Sequence, residues 1–119
     1  MNRALWISQI VLAFIFLGSG IAKSIMSRET MAATGQTGAA SQPMGLVRFI
    51  AACEILGAVG LILPAALAID PLLTPLAAIG LGIIMVGAAR IHAGLREFSS
   101  VAVTLIFLVL CTVVAVSRW

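Results

Sequence analysis

Four apolar runs, each close to the length of a membrane-spanning helix, constrain this chain more than any other feature of its sequence. They extend from about Leu5 to Met26, Leu46 to Leu63, Leu72 to Ile91 and Val101 to Val116. A helix needs roughly 20 apolar residues to cross the hydrocarbon core of a bilayer, and the runs lack the period-two alternation of transmembrane strands. The pattern predicts an all-α integral membrane protein: a four-helix transmembrane bundle forming a single domain over residues 1–119.

The composition supports a membrane protein. Hydrophobic residues make up 62% of the 119-residue chain and charged residues 9%, whereas a soluble domain has about a quarter charged residues. In so apolar a chain, the formal net charge of +3 indicates membrane topology and contact with lipid headgroups. No basic patch interleaved with aromatic residues is present, so we expect membrane lipid as a partner and no nucleic acid.

The cysteine and histidine pattern argues against a metal site. Cys53 and Cys111 fall in apolar runs and have neither CxxC nor metal-ligand spacing, so we interpret both as small buried apolar side chains. His92 is the only histidine, which excludes a His-rich site or a bis-His haem within one chain. We expect no metal, and the sequence identifies no cofactor.

The N-terminus resembles a signal peptide, but its apolar stretch is longer than usual and has no A-x-A cleavage site. We therefore interpret it as a retained first span.

The distribution of basic residues predicts an orientation. Arg3 and Arg118 lie at one end of the predicted bundle, and more basic residues border the polar loops 27–45 and 93–100. The latter are Lys23, Arg28, Arg48, Arg90 and Arg96. The positive-inside rule places both loops in the cytoplasm and both termini outside.

Small residues predict where helices approach one another closely, because lipid gives apolar helices no other strong reason to associate. The second span contains Cys53-x-x-x-Gly57, and the third contains Ala78-x-x-x-Gly82. We expect these two spans to form a tight antiparallel hairpin, although glycine and alanine are common in membrane helices anyway. The fourth span is rich in bulky β-branched residues, and we expect it to face lipid.

Glu54 is an ionisable residue inside the second span, about 13 Å beyond Gly45 at 1.5 Å per residue. An ionised carboxylate costs about 2.5–3.5 kcal/mol at such a depth, so it must face the bundle and be either paired or protonated. Lys23 and Arg90 lie at the same end and can reach it, whereas Arg48 lies about 120° away around the same helix. On the first span, one face carries Gln9, Phe16, Gly20 and Lys23.

Three interpretations of this cluster remain open. An ion pair of Glu54 with Lys23 or Arg90 serves only to fix the helix register, or it belongs to a functional polar pocket, or Glu54 is protonated and idle. In the functional interpretation Glu54 and His92 are the candidate catalytic residues, because both can carry protons. The candidate ligand-binding residues are Lys23, Arg90, Arg48 and Glu97. By itself, His92 is as readily explained as a residue of the membrane interface.

The chain resembles the DoxX-like family of small four-helix membrane proteins of bacteria. The resemblance rests on FLGSGIAK at 16–23, GLVRFIAACEILGAVGLILP at 45–64, LTPLAAIGLGIIMVGAARIHAGLRE at 73–97 and the terminal SRW. Its most specific element is the E-x-x-G-x-x-G-L-x-L-P run that begins at Glu54. The resemblance implies the four-helix fold and a multi-pass protein of the bacterial inner membrane. It also suggests membrane subunits of thiosulfate–quinone oxidoreductases and complexes that handle thiol or oxidative stress.

These observations lead to one principal functional hypothesis and two alternatives. The principal hypothesis is a redox-associated membrane subunit with a polar-headed pocket among helices 1 to 3 for a quinone or similar lipophilic molecule. Glu54 and His92 would handle protons, Lys23 and Arg90 would hold Glu54 ionised or contact the ligand, and an oxidoreductase partner would carry out the electron chemistry. The alternatives are an acid–base isomerase or cyclase acting on a lipophilic substrate, and a transporter or structural partner subunit. Transport would require a homo-oligomer, because four helices without breaks are too few for alternating access in one chain.

Overall fold

The computed structural model describes residues 2–33, 40–70 and 72–119, so part of the long loop, 34–39, lies outside the described residues. No strand occurs within those ranges. The helices of the described residues are α1 (Asn2–Ile25), α2 (Arg28–Ala33), α3 (Met44–Ala66), α4 (Leu73–Gly94) and α5 (Phe98–Arg118). The four helices other than α2 are long and apolar enough to cross a membrane. The predicted all-α, four-helix membrane bundle is therefore confirmed.

The four long helices form a closed ring in which chain neighbours pack together and α5 returns to α1. The α4–α5 and α1–α3 contacts are the most extensive, and the α1–α5 contact is the least extensive of the four. The interior is filled by buried apolar side chains from all four helices. Those at the centre are Leu12, Phe16, Leu61, Leu81, Cys111 and Val114.

Glycine allows the closest helix approaches. A Cβ on Gly20 of α1 would lie 2.9 Å from the carbonyl oxygen of Ala51 and 2.7 Å from Cγ1 of Ile55, both on α3. A Cβ on Gly57 of α3 would lie 2.6 Å from Cδ2 of Leu81 on α4. The expected close approach of the second and third spans is therefore present, but the first and second spans are equally tight at Gly20.

Pro64 lies inside the last turns of α3, which continues beyond it to Ala66. Proline has no N–H, so it cannot donate the helical hydrogen bond to the carbonyl oxygen of Gly60 four residues earlier. The hydroxyl of Thr74 on α4 donates to that oxygen instead, at 3.1 Å. The missing backbone donor thus creates a hydrogen bond between helices, and it fixes α4 against α3.

The fourth span is the least buried of the four candidate membrane spans, as its bulky β-branched composition predicts. One face of it still packs in the bundle. Thr104, Cys111 and Val114 of α5 are buried, and the ring of Phe107 meets that of Phe16 edge to face, with 6.3 Å between centroids. Large apolar side chains cover its other faces.

Candidate functional site

Glu54 lies in the interior of the bundle and forms an ion pair with Lys23. The side chain of Glu54 is 1% exposed, and its Oε1 lies 2.6 Å from Nζ of Lys23. Gly20 brings α1 against α3 one turn before Lys23, so the ammonium group is directed at α3. The other carboxylate oxygen, Oε2, is buried and has no hydrogen-bond partner among the described residues. A buried acceptor of this kind costs free energy unless something else donates to it.

Arg48 binds the end of α1 and does not contact Glu54. Its Nη1 donates to the carbonyl oxygen of Lys23 at 2.7 Å, and its Nη2 donates to that of Met26 at 3.1 Å. The last carbonyl groups of a helix have no partners within the helix, and a guanidinium group can satisfy two of them at once. Arg48 therefore positions the backbone that carries Lys23.

A cavity of about 360 Å³, which we call the first cavity, opens beside the ion pair. It lies mainly between α1 and α5, with α4 behind it and Glu54 of α3 on its inner wall. Its polar lining residues are Ser19, Lys23, Glu54, His92, Ser99, Ser100 and Thr104. Its apolar lining residues are Ile15, Phe16, Met85, Ala88, Val103 and Phe107. The sequence predicts a pocket among the first three spans, whereas this cavity lies mainly between the first and the fourth, and Glu54 is its one lining residue from the second.

His92 and Glu97 form a second pair at the same end of the bundle. Nδ1 of His92 lies 2.9 Å from Oε1 of Glu97, and His92 also lines the first cavity. Both side chains are part-exposed. The pair therefore extends from the wall of the cavity to the turn between α4 and α5, and Glu97 can influence the cavity through His92.

Arg90, the other predicted partner of Glu54, forms no ion pair with it among the described residues. It is exposed on α4 and is not among the residues that line the first cavity. It precedes His92 by two residues, and two residues correspond to about 200° around a helix. His92 and Arg90 therefore point in different directions, although both lie at the end of the helix that carries the site.

The hydroxyl groups of α5 were not among the sequence-predicted site residues. Ser99, Ser100 and Thr104 line the first cavity. The hydroxyl of Thr104 donates back to the carbonyl oxygens of Ser100 and Val101 at 3.0 and 2.8 Å, so towards a ligand it can only accept. Ser100 and Thr104 lie four residues apart and therefore on one helix face, and this spacing is the sequence signal that could have indicated a polar wall on α5.

A second polar cluster holds the opposite end of the bundle together. Gln9 is fully buried on α1. Its Nε2 donates to the carbonyl oxygen of Leu61 at 2.6 Å, and its Oε1 accepts a hydrogen bond from Nε of Arg118 at 2.7 Å. The guanidinium group of Arg118 also lies 5.6 Å from the centre of the Trp6 ring. Gln9 thus joins α1, α3 and α5.

The geometry of the first cavity suits an amphiphilic molecule. Glu54 offers a buried acceptor oxygen, Lys23 has N–H groups beyond the one it gives to Glu54, and apolar side chains form much of the remaining wall.

Within the described residues, no group of three or more His, Cys, Asp or Glu side chains is arranged to hold a metal ion.

Comparison with known protein families matches residues 7–114 to the DoxX-like family. The matched region contains the Lys23–Glu54 ion pair, the His92–Glu97 contact and every residue that lines the first cavity. No curated protein and no solved structure matches the chain. Since the family match covers far more than half of the sequence, the chain is a multi-pass membrane protein that belongs to the DoxX-like family.

Proposed function

We propose that the protein is a redox-associated membrane subunit whose first cavity binds a quinol-like lipophilic molecule. The observation that carries this proposal is Oε2 of Glu54, a buried acceptor without a partner on the wall of a cavity. A ligand hydroxyl that donates to this oxygen would recover the free energy lost when water was removed from it.

The rest of the first cavity supports a ring-shaped ligand head. Its volume of about 360 Å³ falls within the roughly 300–1,000 Å³ of typical small-molecule sites. Phe16 and Phe107 provide aromatic walls, and Ser19 and Ser99 offer further hydroxyl groups. A head with a hydroxyl at Glu54 and an apolar body beside the two rings would satisfy both kinds of wall.

Oxidation of a quinol to a quinone releases two electrons and two protons. We propose that Glu54 accepts one of these protons from the ligand hydroxyl beside it and that His92 accepts the other. His92 and Glu97 would then carry protons between the cavity and the loop-side end of the bundle. The two electrons would pass to an oxidoreductase partner. Lys23 would then donate a hydrogen bond to the ligand oxygen, in the oxidised or the reduced form of the ligand.

Binding of a dimethoxy-methyl hydroquinone without an alkyl chain, called the tailless compound below, to the protein in lipid nanodiscs tests the proposal. Glu54→Gln should weaken binding by about tenfold or more, because hydrogen bonds to charged groups contribute roughly 1.5–3 kcal/mol. Glu29→Gln is the matched control, since the side chain of Glu29 is exposed on α2. Equal affinities for the wild type and Glu54→Gln would contradict the proposal. Native mass spectrometry of the purified protein would identify any molecule that co-purifies.

One observation favours acid–base catalysis as a second candidate function. Glu54 and His92 line the same cavity, so one could remove a proton from a lipophilic substrate while the other returns one. The mass of the bound molecule before and after turnover distinguishes the candidates. Isomerisation or cyclisation within one molecule leaves its mass unchanged, whereas quinol oxidation removes two hydrogen atoms.

Transport by a single chain has less support. The first cavity lies in the half of the bundle nearest the two polar loops, and the interior towards the termini is filled by Leu12, Leu61 and Val114. The hydrogen bonds of Gln9 lie in that packed half.

We propose that lipid contacts the exposed apolar faces and that the protein resides in a bacterial cell membrane with both loops in the cytoplasm. A homo-oligomer would be required only if the protein were a transporter.

A further inference from the structure

A second cavity, of about 340 Å³, lies between α3 and α4 in the same half of the bundle. Its walls are mostly apolar and include Leu46, Val47 and Ile50 of α3 and Ile84, Gly87 and Ile91 of α4. The part of α4 that lines it runs from Ile83 to His92, a length of about 13 Å at 1.5 Å per residue. The second cavity is therefore long enough for an extended apolar chain.

The two cavities have four lining residues in common, and these are Lys23, Met85, Ala88 and His92. Lys23 and Met85 are unbranched and have several rotatable bonds, and Ala88 contributes only a methyl group. A ligand that occupies both cavities would therefore displace flexible side chains at their boundary.

We propose that the two cavities form one binding site, in which the second cavity holds the apolar tail of the ligand whose head binds Glu54. The inference rests on the proposed function and narrows it: the ligand is an amphiphile with a hydroxylated ring and a linear alkyl or isoprenoid chain. The polar groups of the first cavity suit the ring, and the apolar second cavity begins at the residues that surround the Lys23–Glu54 pair.

Two other arrangements compete with this one. The tail could leave the first cavity directly into the bilayer through the α1–α5 contact, which is the least extensive in the bundle. The second cavity could instead hold an acyl chain of a membrane lipid. Substitution of Gly87 separates the proposed arrangement from both of these, because only in the proposed one does the ligand tail lie in the second cavity. Gly87 lines the second cavity and not the first, and a Cβ at this position would have nothing within 4 Å.

The experiment compares a tailless dimethoxy-methyl hydroquinone with its decyl derivative in nanodiscs of one lipid composition. Gly87→Phe adds a ring at the lining of the second cavity. Gly18→Phe is the matched control, because a Cβ on Gly18 also has nothing within 4 Å and Gly18 does not line either cavity. The ratio of the two affinities in each variant is divided by the same ratio in the wild type, which cancels the partitioning of the tail into lipid. Gly87→Leu and Gly18→Leu serve as a second pair should either phenylalanine variant fail to fold.

We expect Gly87→Phe to lower the affinity for the decyl derivative by about tenfold, which corresponds to about 1.4 kcal/mol, while the affinity for the tailless compound changes less than about twofold. Gly18→Phe should leave both unchanged. An unchanged affinity ratio in Gly87→Phe would overturn the inference and leave the proposed function standing, since the tail would then lie elsewhere. Failure of both probes to bind the wild type, or binding that ignores Glu54→Gln, would overturn the proposed function and this inference with it.

Discussion

Glu97 contacts His92 twice, through its backbone and through its side chain. Its N–H donates to the carbonyl oxygen of His92 at 2.9 Å, and its Oε1 lies 2.9 Å from Nδ1 of the imidazole. The N–H of Arg96 donates to the carbonyl oxygen of Ala93, which completes a Schellman motif at the end of α4. The turn that ends the helix therefore also orients the side chain of its one histidine.

The first prediction concerns Arg96, which occupies the left-handed position of this motif at φ 59°. Arg96→Gly should raise the free energy of unfolding by about 0.5–1 kcal/mol. Relief of the left-handed strain gains roughly 1–2 kcal/mol, and the greater chain entropy of unfolded glycine offsets roughly 0.5–1 kcal/mol of it. Unfolding in detergent measures the change. Arg90→Gly, inside the helix, should have the opposite sign, and a loss of stability in both variants would refute the argument.

The second prediction concerns the Lys23–Glu54 pair. Glu54→Gln should destabilise the bundle by up to about 3 kcal/mol because it leaves a partly buried ammonium group without its counter-charge, and Lys23 is only 19% exposed. Lys23→Met should recover much of this loss in the Glu54→Gln background, but it should not restore ligand binding. Arg90→Met is the matched control, because Arg90 is exposed, and its effect should simply add. If the stability change of Lys23→Met also simply adds to that of Glu54→Gln, the side chains of Lys23 and Glu54 are not coupled.

The third prediction concerns the close approach of α1 and α3. Gly20→Ala should lower stability by about 1–3 kcal/mol, because its Cβ would meet the backbone oxygen of Ala51 at 2.9 Å, and that oxygen cannot move without the helix. It should also weaken hydroquinone binding, since Lys23 would be displaced from Glu54. Gly80→Ala has nothing within 4 Å of the new Cβ and should be neutral or stabilising. Thermal melts of the two variants provide the comparison, and equal losses would remove the packing argument.

Gly57 and Gly82 extend this comparison to α3 and α4. Gly57→Leu should cost more than Gly82→Leu, since a Cβ on Gly82 would lie at an ordinary 3.5 Å from Leu108, and the exposed Ala102→Leu should cost least. The same melts rank the three variants, and any other order would count against the packing described here.

The fourth prediction concerns the carbonyl oxygen of Gly60. Thr74→Val removes its donor and should cost about 1–2 kcal/mol. In the Pro64→Ala background the restored N–H of residue 64 can donate to the same oxygen, so Thr74→Val should cost about half as much or less. A double-mutant cycle by denaturant unfolding measures the difference. An unchanged cost in the Pro64→Ala background would mean that the hydroxyl does not compensate for the proline.

The sequence predicts the helices well because membrane length requirements leave few alternatives. It predicts that Glu54 faces the bundle and is either paired or protonated, because an ionised carboxylate inside a membrane requires a partner. It does not decide between Lys23 and Arg90. That choice depends on how far each helix is rotated about its axis, which Gly20 and the contacts of α1 with α3 determine. The contribution of α5 is also missed, since Ser99, Ser100 and Thr104 at a helix start are equally compatible with the membrane interface.

The two hydrogen bonds of Gln9 hold one end of the bundle independently of the site. They join α1, α3 and α5 at 2.6 and 2.7 Å, and those helices can separate there only after both bonds break. The loop-side end has its own ties, which are the Lys23–Glu54 pair and the two hydrogen bonds of Arg48. Because parts of a protein can open separately, the loop-side ties can break while those of Gln9 persist. A retained melting transition is therefore no proof of a working cavity.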